Sequence, residues 1–225
     1  MSSNKLLEAV EKKNLFDVEH LVKQPDIDIN YQKKNGTRYS SLHVACQEGY
    51  YDIVRVLLQD HRINANQRDG SWWAPFYAAC NSGRTGVVTL MMQDARVDMN
   101  KENTHGWTPL IRACFYGYPQ IVKILLSHGR KIDINHESLS DDGGIQSGST
   151  ALYTAKRSKQ TDIVKLLEEY QKNPTETAKQ WRTQLNFTGK QKQQKKVFTS
   201  ASGQFQMKIL RPLTLHLKNQ RKVIT

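Results

Sequence analysis

The chain has 225 residues, of which 38% are hydrophobic and 24% charged, and this length allows one or two domains. No run of about 18 apolar residues predicts a membrane span, and the first residues form no apolar secretory leader. The formal net charge is +12, and residues 171–225 carry nearly all of it, with twelve Lys and Arg against Glu176 alone. We therefore expect a cytoplasmic protein. The basic C-terminal residues also allow a nuclear location.

The first 170 residues repeat one pattern. An apolar phrase with a central alanine returns at Ala45, Ala79 and Ala113, 34 residues apart, and again at Ala155 after 42 residues. A glycine follows the first three alanines by four positions, then an apolar group with helical spacing, then a run rich in Asn and Asp. Glycine ends helices and the i, i+3, i+4 spacing builds them, so each period predicts two short antiparallel helices. A period of this size indicates stacked units rather than one globular core.

Taken in chain order, the units are predicted at 4–36, 37–70, 71–104, 105–147 and 148–170. The first unit follows the pattern more loosely, and in the fourth Thr108-Pro109 predicts a helix start with threonine as the N-cap. The fourth unit also carries an insertion at 138–147, which we expect to be a recognition finger or a tolerated loop. Its acidic pair, Asp141-Asp142, lacks the alternating oxygen ligands of a calcium loop, so we expect no metal.

The C-terminal region divides at about residue 188. Asn173-Pro174-Thr175-Glu176 is a helix start, and it predicts a capping helix within 171–187, centred on 174–186, that covers the last repeat. Residues 188–225 form a basic tail that we expect to be mostly disordered, with two short strands between 205 and 217 that order on contact. The tail is a solvated extension or a weak contact for nucleic acid or anionic lipid through six basic residues: Lys190, Lys192, Lys195, Lys196, Arg221 and Lys222.

Several phrases resemble the ankyrin repeat, among them Gly106-Trp107-Thr108-Pro109-Leu110 and Ser41-Leu42-His43-Val44-Ala45. The resemblance covers about three quarters of the chain. It implies an all-α ankyrin-repeat solenoid of about five helix–turn–helix repeats joined by short hairpin connections. It also implies binding of other proteins through the hairpin tips and the concave helix face. Trp72 stands where that family usually has glycine, so we expect a distorted hairpin before the third unit.

The resemblance also indicates which positions are free to bind. The residue before the Thr-Pro step and the two before the helix-ending glycine face the concave groove in that family. Aromatic residues and arginine carry many interface hot spots, so the aromatics in these positions favour an interface. The predicted partner-binding residues are Tyr39, Gln47, Glu48, Trp73, Asn81, Ser82, Trp107, His105, Phe115, Tyr116 and Arg157. The tryptophans have a second interpretation as packing residues of the hairpins.

The function predicted from the sequence is a non-catalytic adaptor that binds a protein partner and acts as a monomer. The alternative is a nucleic-acid or anionic-surface binder that works through the basic tail. We expect no enzyme and no cofactor, because the chain has no phosphate-binding glycine loop, no nucleophile elbow and no metal-ligand cluster. Cys46, Cys80 and Cys114 recur with the repeat and lack close spacing, so we expect buried, reduced thiols.

Overall fold

The computed structural model describes residues 4–34, 36–140 and 146–185, and these residues form eleven helices with one isolated bridge between Gln32 and Ser40. The basic tail and its six cited residues lie outside the described residues. The first ten helices form five successive pairs. They are α1 (Lys5–Glu11) and α2 (Leu15–Leu21), α3 (Ser41–Glu48) and α4 (Tyr51–Gln59), α5 (Pro75–Asn81) and α6 (Thr85–Met91), α7 (Pro109–Tyr116) and α8 (Pro119–Ser127), and α9 (Ala151–Arg157) and α10 (Thr161–Lys172). The eleventh helix, α11, is Pro174–Gln184. The predicted all-α repeat architecture is confirmed.

The ends of these helices follow from local sequence. Thr108 caps α7, because its hydroxyl oxygen accepts a hydrogen bond from the Ile111 N–H at 3.3 Å, and Pro109 is the first helical residue. Gly49 and Gly117 end α3 and α7 in the left-handed conformation, with φ of 80° and 78°. Each helix of these pairs is therefore limited to two or three turns by its own cap residues.

The helices pack in two rows. The first helices of the pairs, α1, α3, α5, α7 and α9, contact one another in sequence, and the second helices, α2 to α10, form the other row. Equivalent apolar residues of successive units are fully buried between the rows, as for Leu42, Phe76 and Leu110. The cysteines Cys46 and Cys80 are free and fully buried in this core, and burial raises their thiol pKa values. The thiols are therefore packing residues of the stack.

Three arginines spaced 34 residues apart tie each unit to the one before it. Arg62 donates to the main-chain oxygen of Val22 at 2.7 Å, at the end of α2. Arg96 donates to the main-chain oxygens of Leu58 and Asp60 at the end of α4, and Arg130 donates to three carbonyls after α6. The last carbonyls of a helix have no partner within the helix. The next unit therefore supplies their hydrogen bonds.

An asparagine ladder runs beside the arginines. Asn66 donates from its amide nitrogen to the Arg96 carbonyl at 2.7 Å, and its amide oxygen accepts from the Asp98 N–H at 2.7 Å. Asn30 and Asn100 make the same pair of bonds one unit earlier and one unit later. Each asparagine thus satisfies two main-chain groups of the following unit, which fixes the register of the stack.

The predicted capping helix is confirmed as α11, which packs on α8 and α10. Trp181 is buried at 2% exposure, and its ring stacks on Tyr170 with centroids 6.2 Å apart. Arg182 donates through Nε to the carbonyl of Ser127 after α8. α11 thereby provides both the apolar cover and the arginine that a further repeat would otherwise bring.

The turn that contains Trp72 is not distorted, which corrects the expectation from the sequence. Trp72 adopts φ of 64°, close to the 71° of Gly106 at the same place in the next unit. The closing hydrogen bond is also the same, 3.0 Å from the Asp69 N–H to the Trp73 carbonyl and 3.2 Å from Asn103 to Trp107. The Trp72 ring lies against the Arg68 guanidinium at 4.7 Å. A side chain in the left-handed region is costly, but the turn tolerates it here.

The insertion begins and ends in a hydrogen-bonded base. The Ser138 N–H donates to the Ser149 carbonyl at 3.1 Å, and the Ser138 hydroxyl donates to the Gln146 carbonyl at 2.6 Å. The Leu139 N–H donates to the His105 carbonyl at 2.9 Å, which joins this base to the turn before α7. The two ends of the insertion are thereby held in the stack, while residues 141–145 lie outside the described part.

Replacing Arg96 with methionine is expected to destabilise the protein by about 1–3 kcal/mol, because it leaves the carbonyls after α4 without their charged donor. Urea unfolding measures the effect. Arg55→Met is the matched control, since Arg55 pairs only with Asp52 at 3.1 Å on the surface of α4. That control is expected to stay within about 0.5 kcal/mol of wild type. Equal losses for the two variants would contradict the role given to Arg96.

Candidate functional site

Trp73 and Trp107 occupy the same place in successive units, directly before α5 and α7. The side chains of Asp69 and Asn103 hold their backbones, because each accepts a hydrogen bond from the tryptophan N–H, at 2.9 and 3.0 Å. Trp73 is half-buried, whereas Trp107 is only 1% exposed. A partner can therefore reach the Trp73 ring, and the Trp107 side chain supports the surface from below.

Arg112 of α7 lies among four aromatic rings. Its guanidinium carbon is 4.3 Å from the ring centroid of Trp107, 4.8 Å from Tyr116, 5.5 Å from Phe115 and 5.8 Å from Trp73. All four distances fall within the range at which a cation is attracted to an aromatic face. The arginine therefore joins the aromatic side chains of two successive units.

Two hydrogen bonds fix the orientation of the arginine. Its Nε donates to the amide oxygen of Asn81 at 2.7 Å, and Nη2 donates to the hydroxyl of Tyr116 at 3.1 Å. We call the whole group the Arg112 cluster. It comprises Trp73, Asn81, Trp107, Arg112, Phe115 and Tyr116. Five of these six residues were predicted from the sequence as partner-binding positions, and the structure brings them together around the sixth.

Exposure differs across the Arg112 cluster. Tyr116 is 44% exposed, and Trp73, Asn81 and Phe115 are half-buried. Phe115 packs against the hydrophobic core and also meets Tyr116 edge to face, with centroids 5.1 Å apart. Phe115 therefore contributes both to the core and to the surface. Tyr116 and Trp73 present the accessible aromatic surface.

The other six predicted residues are not members of the Arg112 cluster, although the His105 ring lies 6.0 Å from that of Trp107. Tyr39 is half-buried, and burial together with the charge of Asp69 raises the pKa of its hydroxyl. The Gln47 carbonyl accepts from Arg84 at 2.7 Å, and His105 lies 2.9 Å from the Ser140 hydroxyl at the base of the insertion. The remaining three lie at the ends of first helices, where Ser82 is half-buried and Glu48 and Arg157 are exposed.

Arg112 itself was missed because it lies inside a repeated phrase. In the equivalent position the second, third and fifth units have the uncharged Val44, Ala78 and Thr154, and the more loosely repeated first unit has Glu8. A basic residue occurs at this position in the fourth unit alone, and that departure from the repeat is the signal that points to Arg112.

His43, the third residue of α3, positions Trp73. The Ser40 N–H donates to its Nδ1 at 3.3 Å, so the proton is on Nε2, which donates to the Trp73 carbonyl at 3.0 Å. Burial lowers the pKa of the ring, although the Trp73 carbonyl opposes this effect. A neutral His43 thus matches both of its neighbours, and protonation of Nδ1 would remove an acceptor.

The described residues offer little else for chemistry. Within the ranges given above, no three His, Cys, Asp or Glu side chains are grouped as a metal site would need. No helix of the described part is long and apolar enough to cross a membrane. The Arg112 cluster is accordingly the group of side chains that we consider as a binding site.

A family model described as ankyrin repeats (3 copies) matches residues 6–102, 42–138 and 76–178 of the chain. The chain therefore belongs to the ankyrin-repeat family, whose repeats are generally protein–protein interaction modules and which is typically non-catalytic. A search of the curated proteins found no match for the chain.

The free energy of unfolding is expected to fall as the pH drops below about 6.5, the ordinary pKa of histidine. The pKa of His43 is lower in the folded state, so below this pH the unfolded state binds more protons than the folded state. The stabilisation that is present above about pH 6.5 is therefore lost as the pH falls. His128, whose pKa burial also lowers, adds to the same slope. His43→Gln is expected to reduce the change of the unfolding free energy with pH, measured by urea unfolding between pH 7.5 and 5. The control His61→Gln alters a side chain that is 95% exposed, and an equal reduction there would contradict the assignment.

Proposed function

We propose that this chain is a non-catalytic protein-binding module whose partner docks on the first helices of its third and fourth units. The observation that carries the proposal is the Arg112 cluster. It places two accessible aromatic side chains, Trp73 and Tyr116, beside an arginine on rigid helices and closed turns. Such combinations of tryptophan, tyrosine and arginine account for much of the binding energy at protein interfaces.

The rigidity of the cluster supports the same proposal. Two hydrogen bonds hold the backbone of Trp73: its N–H donates to the Asp69 carboxylate, and its carbonyl accepts from His43 Nε2. Asn81 and Tyr116 hold the guanidinium between them. Side chains that are already ordered lose little conformational freedom on binding, so more of their contact energy contributes to affinity.

The test is affinity capture with the full chain and a double variant, Trp73→Ala with Tyr116→Ala. The double variant is expected to weaken capture of the partner by about tenfold or more, as loss of interface hot spots does. Phe16→Ala is the matched control, because Phe16 is an aromatic side chain 77% exposed on α2, in another unit. Thermal unfolding of each variant monitors the fold.

The proposal is contradicted if all variants capture the same proteins equally. A chain without residues 188–225 separates the alternative function from this one. If that truncation abolishes capture while the double variant does not, the basic tail is the binding element. Retention on nucleic acid or heparin that disappears with the truncation, while protein capture persists, assigns the tail an accessory role.

A further inference from the structure

We propose that Arg112 receives a carboxylate of the partner, so that the ligand of this face is an acidic peptide segment. The inference rests on the proposed function and adds the chemistry of the partner. It follows from three features of the Arg112 cluster: a buried cation without a counter-charge, hydrogen-bond donors that remain unused, and surrounding first helices that contain no acidic residue.

Arg112 is 9% exposed, and no carboxylate oxygen lies within ion-pair distance of it among the described residues. Its polar partners are an amide oxygen and a hydroxyl, both neutral. Two of the arginines that join successive units have a different environment: Arg62 and Arg96 each chelate an aspartate, at 2.7 and 2.6 Å. Removing a charge from water without a counter-charge is unfavourable. A carboxylate brought by a partner would therefore be bound strongly here.

The guanidinium retains donors for such a carboxylate. Nε is used by Asn81 and Nη2 by Tyr116, and Nη1 makes no hydrogen bond within the described ranges. Solvent reaches Nη1, because it is not one of the side-chain polar atoms that are buried without a hydrogen-bond partner in this part of the fold. Nη1 of the guanidinium therefore remains for an acceptor. A carboxylate is the acceptor whose geometry matches that planar fork.

The charge of the neighbouring helices favours an acidic ligand. The helices α5, α7 and α9 contain Arg112, Lys156 and Arg157 and no Asp or Glu. Lys156 pairs with Glu168 of α10 at 2.9 Å, so the cluster is the part of this row where a cation lacks an acidic neighbour. Acidic residues of the first helices occur in α1 and α3. A peptide with an acidic residue thus meets no like charge on these three helices.

Single-stranded nucleic acid also binds aromatic rings and arginine, but it needs a groove of several cations that follows the phosphates. The described first-helix surface around Arg112 has no such groove, because Trp107 is buried and the neighbouring positions are Asn81, Phe115 and Tyr116. An acidic peptide therefore suits the cluster better than a polynucleotide.

The test is selection from a displayed random dodecapeptide library on the full chain, with removal of peptides that also bind the Tyr116→Ala variant. Enriched peptides are expected to share an Asp or Glu. By fluorescence anisotropy, exchange of that residue for Asn or Gln in the peptide is expected to weaken binding to the wild-type chain about tenfold or more. With Arg112→Met the acidic and amide peptides are expected to bind alike, whereas Arg157→Met is expected to keep the acid preference.

The comparison of the two peptides on the wild-type chain needs no variant of Arg112, so it decides the inference even if Arg112→Met unfolds. Arg112→Lys then serves as the second variant, since it keeps the charge and loses the planar fork. Enriched peptides without an acidic residue, or an acid preference that survives in Arg112→Met, overturn the inference and leave the proposed function in place. The inference is also overturned if oligothymidylate displaces the peptide and this displacement depends on Arg112. If no peptide is retained in a Tyr116-dependent way, the proposed function fails as well.

Discussion

No unit of this stack completes its own structure. The apolar faces of each helix pair are covered by its neighbouring pairs. The carbonyls at the ends of α2, α4 and α6 receive hydrogen bonds from an arginine of the following unit, as Leu58 does from Arg96. The asparagine ladder adds the same dependence for the turns. The free energy of unfolding is thus a sum of the intrinsic stabilities of the units and the interaction energies between neighbouring units. The last interface is closed by α11, where Trp181 and Arg182 supply the apolar cover and the carbonyl partner.

This dependence on neighbours determines where a binding surface can lie. Positions used for stacking must stay nearly constant from unit to unit, so the residues that differ are those on the first helices and in the turns before them. Arg112 is such a residue, and its aromatic neighbours come from two successive units. The stack therefore does more than present the cluster. It brings Trp73 and Asn81 of the third unit within reach of an arginine of the fourth.

Much of the architecture could be predicted, because caps, glycines and apolar spacing act over a few residues. The N-cap at Thr108 and the helix at Pro174–Gln184 are examples. The Arg112 cluster could not, since its contacts join residues about 30 to 40 positions apart and depend on how two units stack. Arg62, Arg96 and Arg130 are spaced 34 residues apart in the sequence, but nothing in the sequence identifies the carbonyls that accept their hydrogen bonds. Trp107 shows the same limit, as its aromatic character suggested a contact residue and its burial makes it a support.

The central claim is that recognition takes place on the first helices of the third and fourth units. Hydrogen–deuterium exchange of the full chain, with and without its captured partner, tests this directly, because amides under a bound partner open and exchange more slowly. The account predicts added protection in residues 72–82 and 105–118. Protection confined to the second helices α4, α6 and α8, or to residues 188–225, would contradict it.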